Sequence, residues 1–558
     1  MAKKIYDVIV VGTGAGGGTA LKALCEAGLH VLALNNGPRI VPSRAYRMHR
    51  QPFETKYRGF GDPTFPRYHD ETEYTQPCWE HDVTYVNAPG TNWEWVRCKI
   101  TGGKGNFWGR SSARFGEIDF RAASLDGFDV DWPVTYDEIA PYFTRAEKMM
   151  GIASTIQNRP SNPDGVYLPA IPLRCGDYIL QEGAKKVGVP YLPDRCAQLT
   201  IPQNGHPPCH YCANCGSGCD TGSFFSPTWF TIPDAEKTGR LELRADAIAK
   251  NVLVDENGQA KGVAYVDRNT KQEVEVYSRA VVVAASCVET THILLNSKSR
   301  HWSNGIGNSS DQLGRNLCDH LYGTPAYGVL PQLAGQPSRA DNISAATIVW
   351  MPRWQNLKNP HEETFIRGYC VYSSVGCDQF PWYAREIEGF GVDFKRSIKH
   401  YYPAPFSFAT QAPSLPNPDN FLDIDPQVKD IFGIPALRIH FHWEPNVLAM
   451  WEHSKQVMAE LVKSAGGEVW GVEQQPKWSG KSNHEFGPCR MGNDPKKFYT
   501  NAFGQSHDVR NLYICDASVF VFPGDKTTTM PIVAFTLRTC DHIIQKFRRG
   551  DHRRGNVS

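Results

Sequence analysis

At 558 residues the chain is too long for one ordinary domain, and 41% hydrophobic against 21% charged residues is the composition of a globular protein that builds its own cores. Lys plus Arg total 59 and Asp plus Glu 58, so a net charge of +1 excludes the basic footprint of a nucleic-acid or anionic-membrane binder. No run approaches the ~20 apolar residues of a membrane helix, so no membrane span is predicted.

The first predicted element follows the initiator Met almost at once. Ile5–Val11 is apolar and β-branched, the pattern of a buried parallel strand. It runs into GTGAGGG and then TALKALCEAG, a helix by its apolar spacing that stops at Gly28, before a second strand in LHVLALNNG. Gly12, Gly14 and Gly17 therefore fall where a dinucleotide turn needs them. The first allows the tight turn, the second lets backbone approach a pyrophosphate, and the third packs helix on strand. The phosphates are expected on the helix N-terminus, where free N–H groups and the dipole favour anions. Asn35 ends the second strand, where an acid would bond a ribose; it is expected to contact the ribose or, with Asn36 and Gly37, only to turn the chain. The opening MAKKIYDVIVVG leaves no room for a signal peptide, which taken alone reads as cytoplasmic. Export alongside a signal-bearing partner would leave the same sequence.

Residues 99–112, KITGGKGNFWGRSS, form a second glycine-rich segment. The stretch from Asp131, DWPVTYDEIAPYFTRAEKMMGI, predicts a helix capped near Thr135 with an acidic first turn. In PPCHYCANCGSGCDTGSFF the spacing Cys209-x2-Cys212-x2-Cys215-x3-Cys219 is the bacterial ferredoxin run for an iron–sulfur cluster, with Asp220 in place of the usual proline. Gly216 and Gly218 would let backbone N–H groups face the sulfides. Four thiolates also suit structural zinc, and two disulfides or free thiols are the plain alternative. His206 and His210 stand near enough in sequence to replace a Cys ligand, or else lie on the loop surface. Residues 279–297, RAVVVAASCVETTHILLNS, read as a buried strand entering a helix.

Three of these segments carry a resemblance. Residues 99–112, residues 279–297, and NHEFGPCRMG (483–492) followed by NLYICDASVFVFPGDKTTTMPIVAFTLRTCDHI resemble the glucose–methanol–choline oxidoreductase family, and GNSSDQLGRNLCDH (307–320) has the same look. The resemblance touches both ends and the middle and is weakest over 325–475. It implies an α/β fold (α+β overall): a Rossmann-like FAD-binding domain from 1–125, 228–325 and 484–558, and a substrate or cap domain on a mainly antiparallel sheet from 126–227 and 326–483, including the cysteine loop 206–222. It implies FAD, with Gly103 and Asn106 along the isoalloxazine and Asp516 at the polyol chain. Phe107 stands where some relatives attach FAD through a His, which implies noncovalent FAD.

The resemblance also names the expected chemistry. His484, in the family's H-x-x-G-x-x-R-M-G setting, is the implied base for the alcohol proton, a role that suits a neutral imidazole. The second His or Asn of relatives aligns with Thr527, which can bond a substrate hydroxyl but cannot act as a base; Lys526 or a shifted register is the alternative. The cysteine loop resembles that of the family's bacterial sugar dehydrogenases, and more closely of glucoside 3-dehydrogenases, whose large subunits pair with a small subunit bearing an export signal and pass electrons to a cytochrome. The expected protein is thus an FAD-dependent dehydrogenase of a secondary sugar or glycoside alcohol, such as the 3-hydroxyl. Its electrons leave through an iron–sulfur cluster to a cytochrome or other one-electron acceptor, and its address is periplasmic by co-export. The alternatives are an oxygen-using oxidase with a zinc or metal-free loop, and a non-redox lyase or binding protein that retains FAD.

Overall fold

A computed structural model describes residues 4–46, 54, 84–212, 215, 218–337, 349–377, 381–474 and 479–552. Gly216, singled out above, and residues 553–558 lie outside this set.

Ile5–Val11 is a strand, flanked in parallel by Val31–Leu34 and by Glu273–Val283; Val8 faces Val31 on one side and Ala280 on the other. Leu241–Arg244 extends this parallel run beyond Val31–Leu34. Glu273–Val283 changes partner along its length. Its first half pairs antiparallel with Ala260–Asp267, which pairs on with Ala247–Val254, while Val281–Val283 run parallel to Leu512–Ile514. Helix Ala15–Glu26 packs Leu21, Leu24 and Cys25 onto Val8, Val10 and Val282, joined by Cys540 and Ile543 of the long helix Thr529–Arg549. Both faces are covered, which is why these strands read as unbroken apolar runs.

Among the described residues a second sheet is antiparallel throughout, six of its seven strands running in the order Glu468–Gly471, Tyr327–Val329, Pro405–Pro413, Cys370–Val375, Val349–Met351, Leu192–Pro193. Helix Pro445–Ser464 seals it, with Met450, Trp451, Met458 and Leu461 in one cluster with Phe406 and Phe408. The expected fold class, a Rossmann-like sheet beside a mainly antiparallel one, is the observed one. The strand His320–Gly323, sequence-wise on the nucleotide-binding side of residue 325, pairs with the far end of Pro405–Pro413 and so belongs to the second sheet. A small third sheet of Phe421–Lys429, Pro435–His440 and Tyr85–Asn87 has no counterpart in the sequence reading; a three-residue strand is too short to show alternation.

The helix expected after Thr135 runs Tyr136–Met150, with the Thr135 hydroxyl accepting from the Glu138 amide and Glu138 returning a bond to the Thr135 amide. Phe115, Phe120, Trp132, Phe143, Phe520 and Phe535 interlock beneath it, and Trp132 Nε1 donates to the Phe522 carbonyl at 3.0 Å. The edge-to-face pairs among them, Phe115–Phe143 and Phe120–Trp132, are worth about 0.5–1.5 kcal/mol each beyond the area they bury. The nest anchors residues 516–528, which carry several of the expected site residues.

Candidate active site

Gly12 leaves the first strand at φ +96°, and a Cβ there would stand 2.2 Å from the Ala284 carbonyl oxygen. A Cβ on Gly17 would meet the Gly12 carbonyl oxygen at 2.1 Å, so turn and helix touch where the sequence placed them in contact. Gly16 is tighter still: its Cβ would lie 1.7 Å from the Cys515 carbonyl oxygen. Sequence reasoning passed over Gly16 because the contact comes from 499 residues downstream.

Gly14 differs from these three. Nothing approaches its Cβ position closer than 4.0 Å, and a Cβ on Gly103 would find only the Gly14 Cα and the Cys98 carbonyl, both at 3.8 Å. The two glycine-rich segments thus face each other across space that no side chain fills. Thr13 links them, donating to Asn35 Oδ1 at 2.7 Å and accepting from the Gly102 amide at 2.9 Å. Asn35 also donates to the Gly37 carbonyl, the chain-turning contact. Asn106 is fully buried and closes its own turn, donating to the Thr101 carbonyl and accepting from Thr228 Oγ1 at 2.7 Å. Asp516 caps the turn Ala517–Val519, accepting from the Ser518 amide and hydroxyl, and its other oxygen accepts from Thr290 at 2.5 Å. Burial pushes its carboxyl up. A cavity opens beside Asn36, walled by Arg97, Lys99, Ile248 and Glu289.

His484 lies on a loop fastened by one carboxylate. Asp319 accepts from the Gly480 amide at 2.9 Å and from the Ser482 hydroxyl, and Ser482 Oγ accepts from the His484 amide at 3.1 Å. The His484 ring is half-buried but closely walled. Burial first, then the neighbouring His320 and Lys104, hold it well below the ordinary histidine range, so it is neutral at neutral pH. His320 stands edge-on to it, ring centroids 5.2 Å apart at 88°. His320 is 1% exposed, bonds the Gly524 carbonyl through Nε2 at 2.8 Å, and is pushed down to about 4 by burial. Sequence reasoning took in the segment ending at His320 but not the residue, since one His at the start of a short strand gives no signal of its own.

The residues expected opposite His484 are committed elsewhere. The Thr527 hydroxyl donates to the Ser111 carbonyl at 2.7 Å. Lys526 is fully buried between Asp119, at 2.9 Å, and Asp525, at 2.7 Å. Burial alone would lower its ammonium, but the two carboxylates outweigh it and raise it, which is opposite to what a base requires.

Cys215 and Cys219 are buried, Cys209 and Cys212 half-buried, and none of the four is in a disulfide. Burial pushes Cys209 up to about 12, and Cys215, Cys212 and Cys219 add to the rise, so the four are neighbours. Backbone amides of Tyr211 and Ser223 donate to Cys209 and Cys219 sulfurs at 3.3 Å. Among the described residues no three His, Cys, Asp or Glu side chains are arranged to hold a metal ion. His206 stacks on Phe230 at 4.0 Å. The loop leans on the glycine-rich segment: Gly218 lies under the Tyr46 ring, which stands edge-on to Phe107 at 5.5 Å. Arg110 is buried beside Cys215, Cys196 and Cys209; burial would lower its guanidinium, and these thiols raise it.

Comparison with known proteins decides the family. Residues 128–322 match the N-terminal profile and residues 416–536 the C-terminal profile of GMC oxidoreductases. The chain belongs to the GMC oxidoreductase family. It is 27% identical over 569 residues to 2-methyl-1,2-propanediol dehydrogenase of Mycolicibacterium austroafricanum, covering 97% of this chain and 95% of that one. It is 26% identical over 565 residues to the fructose dehydrogenase large subunit of Gluconobacter japonicus, covering 98% of each. A solved formate oxidase of Aspergillus oryzae shares the fold with a TM-score of 0.63 at 14% identity, over 99% of this chain and 100% of that one. As a GMC oxidoreductase the chain is an FAD-dependent enzyme acting on alcohol or sugar hydroxyls. The open faces of Gly14 and Gly103 at the helix N-terminus fit the dinucleotide, because only residues lacking a Cβ leave that space.

Proposed function

We propose that this chain is the flavin-bearing subunit of a dehydrogenase that oxidises a secondary alcohol of a sugar or glycoside, the 3-hydroxyl being the favoured position. The observation that carries the reading is His484, a closely walled imidazole kept neutral and held by the Asp319–Ser482 tie. A neutral imidazole accepts the hydroxyl proton of the substrate as the C–H bond breaks. FAD supplies the two-electron acceptor for the hydride released from the carbinol carbon. His484 takes the proton.

FAD is held without a covalent bond, because Phe107 offers no nucleophile where a His would. Acid precipitation is therefore expected to leave all the yellow colour in the supernatant, and flavin retained on the pellet would overturn that assignment.

The electron exit is assigned to an iron–sulfur cluster on Cys209, Cys212, Cys215 and Cys219, with zinc the alternative. Support comes from the ferredoxin spacing, the amide–sulfur bonds and the buried Arg110, a cation suited to an anionic core. The thiols do not form a ready cage in this structure, so loading requires the loop to draw them together. Cys215→Ser is expected to lower iron content and slow reduction of a one-electron dye, while substrate still bleaches the flavin. Stoichiometric zinc without iron, in protein purified without air, would favour the oxidase reading, which hydrogen peroxide production tests directly. A small subunit carrying the export signal, a cytochrome acceptor and a periplasmic address complete the proposal; the relative named as a large subunit supports the pairing.

A further inference from the structure

The structure leaves two imidazole nitrogens orphaned side by side. His320 Nδ1 and His484 Nδ1 are both buried with no hydrogen-bond partner. A buried polar atom without a partner forfeits its hydration, so a neighbouring pair of them calls for an explanation. On His320 the protonation pattern is fixed by geometry. The Gly524 carbonyl, 2.8 Å from Nε2, can only accept, so Nε2 carries the hydrogen and Nδ1 presents a lone pair. On His484 the requirement runs the other way. To serve as a base through Nε2 it must carry its own hydrogen on Nδ1, where a buried donor needs an acceptor.

The two needs are complementary. The ring centroids are 5.2 Å apart. Each nitrogen lies about 1.2 Å from its ring centre, so turning both Nδ1 atoms onto the line between the rings brings them to about 2.8 Å, a hydrogen-bond distance. The backbone on both sides is fixed: His320 heads a strand paired to Pro413, and the Asp319 carboxylate beside it holds the His484 loop through Gly480 and Ser482.

We propose that His320 is a positioning residue for the reaction: its Nδ1 accepts the Nδ1–H of His484, selecting the tautomer whose Nε2 is free to take the substrate proton. This rests on the reading of His484 as the base. In the step itself the hydroxyl proton moves to His484 Nε2, its Nδ1–H stays in place pointing at His320, and the hydride leaves the carbinol carbon for the bound flavin. Thr527 and Lys526, the residues expected across the substrate from His484, are engaged with other groups, and His320 acts on His484 itself.

Two substitutions separate this role from a structural one. In His320→Gln the amide nitrogen falls near the position of Nε2 and keeps the bond to Gly524, but the acceptor at Nδ1 is gone. In His320→Asn the side-chain oxygen falls near Nδ1, while the Gly524 bond is lost. The holoenzyme is assayed by the rate of substrate-driven flavin bleaching without oxygen, with FAD content and melting temperature as controls. His320→Gln is expected to hold its FAD yet bleach ~10- to 100-fold more slowly, at or below the lower end of a general-base contribution, and His320→Asn to recover a substantial part of that rate despite a lower melting temperature. Wild-type speed in His320→Gln, or a rate in folded His320→Asn no better than in His320→Gln, would overturn the proposal. Nitrogen-15 histidine spectra of the wild-type holoenzyme give an answer that does not depend on either variant folding. The His484 signals, identified by their loss in His484→Gln, must show the hydrogen on Nδ1; a hydrogen on Nε2 overturns the dyad. Failure of the base itself looks different, because His484→Ala would then bleach normally, whereas failure of the dyad alone leaves His484→Ala slow and His320→Gln fast.

Discussion

His484→Ala is expected to bind a full complement of FAD and to lose substrate-driven flavin reduction by about 10²- to 10⁴-fold, the usual worth of a positioned general base. The flavin cradle does not depend on this ring. Gly12 and Gly16 sit against the Ala284 and Cys515 carbonyls, Gly17 sits against the Gly12 carbonyl, and Thr13 bridges to Gly102. The buried Nδ1 of the His484 ring bonds none of them; its loop is held instead through Asp319 and Ser482. Rapid-reaction absorbance under nitrogen separates flavin content from flavin reduction in one sample. Turnover within a few-fold of wild type would move the base elsewhere.

Lys526→Met is expected to cause the largest loss of stability among the site variants. Lys526, Asp119 and Asp525 are each at most 1% exposed, and the ammonium is the partner of both carboxylates. Removing one member of a buried ion pair costs about 3–5 kcal/mol, because the charge left behind has neither water nor a partner. The deficit should depend on pH. Burial pushes Asp119 above the usual carboxylate range, while for Asp525 the Lys526 ammonium outweighs burial and holds it below; without Lys526 both carboxyls move up. Groups whose folded pKa is raised hold their stability at low pH and lose it as pH climbs through that value. Urea unfolding of the variant is therefore expected to show a smaller deficit near about pH 5 than near about pH 8. A small, pH-independent deficit would contradict a buried triad.

The sequence carried the first two strands, the glycine turn and the first helix of the nucleotide-binding sheet, because these are local patterns set by sterics and periodicity, while Leu241–Arg244, Ala247–Val254 and Ala260–Asp267 had no counterpart in it. Ile5–Val11, the stop at Gly28 and the Thr135 cap all fall where the residues predict them. What sequence could not carry is contact between distant segments. Gly16 against Cys515, Lys526 between Asp119 and Asp525, and His320 against His484 are each created by packing across hundreds of residues. Thr527 is instructive in this respect. Its alignment with a family position was legible, but the hydroxyl's bond to the Ser111 carbonyl follows from how the glycine-rich segment passes the closing helix. The cysteine loop shows the same division: spacing gives the candidates, and only the folded loop gives their orientation.

The most direct test of the account is to add sugars and glycosides, without air, to the purified holoprotein and follow the flavin absorbance. The account requires a secondary-alcohol sugar or glycoside to bleach the flavin, a one-electron acceptor to restore it without peroxide, and His484→Ala to remain yellow on the same addition. A flavin that stays oxidised with every sugar and alcohol tried, in protein shown to be folded and fully loaded with FAD, would contradict it and leave the non-redox reading in its place.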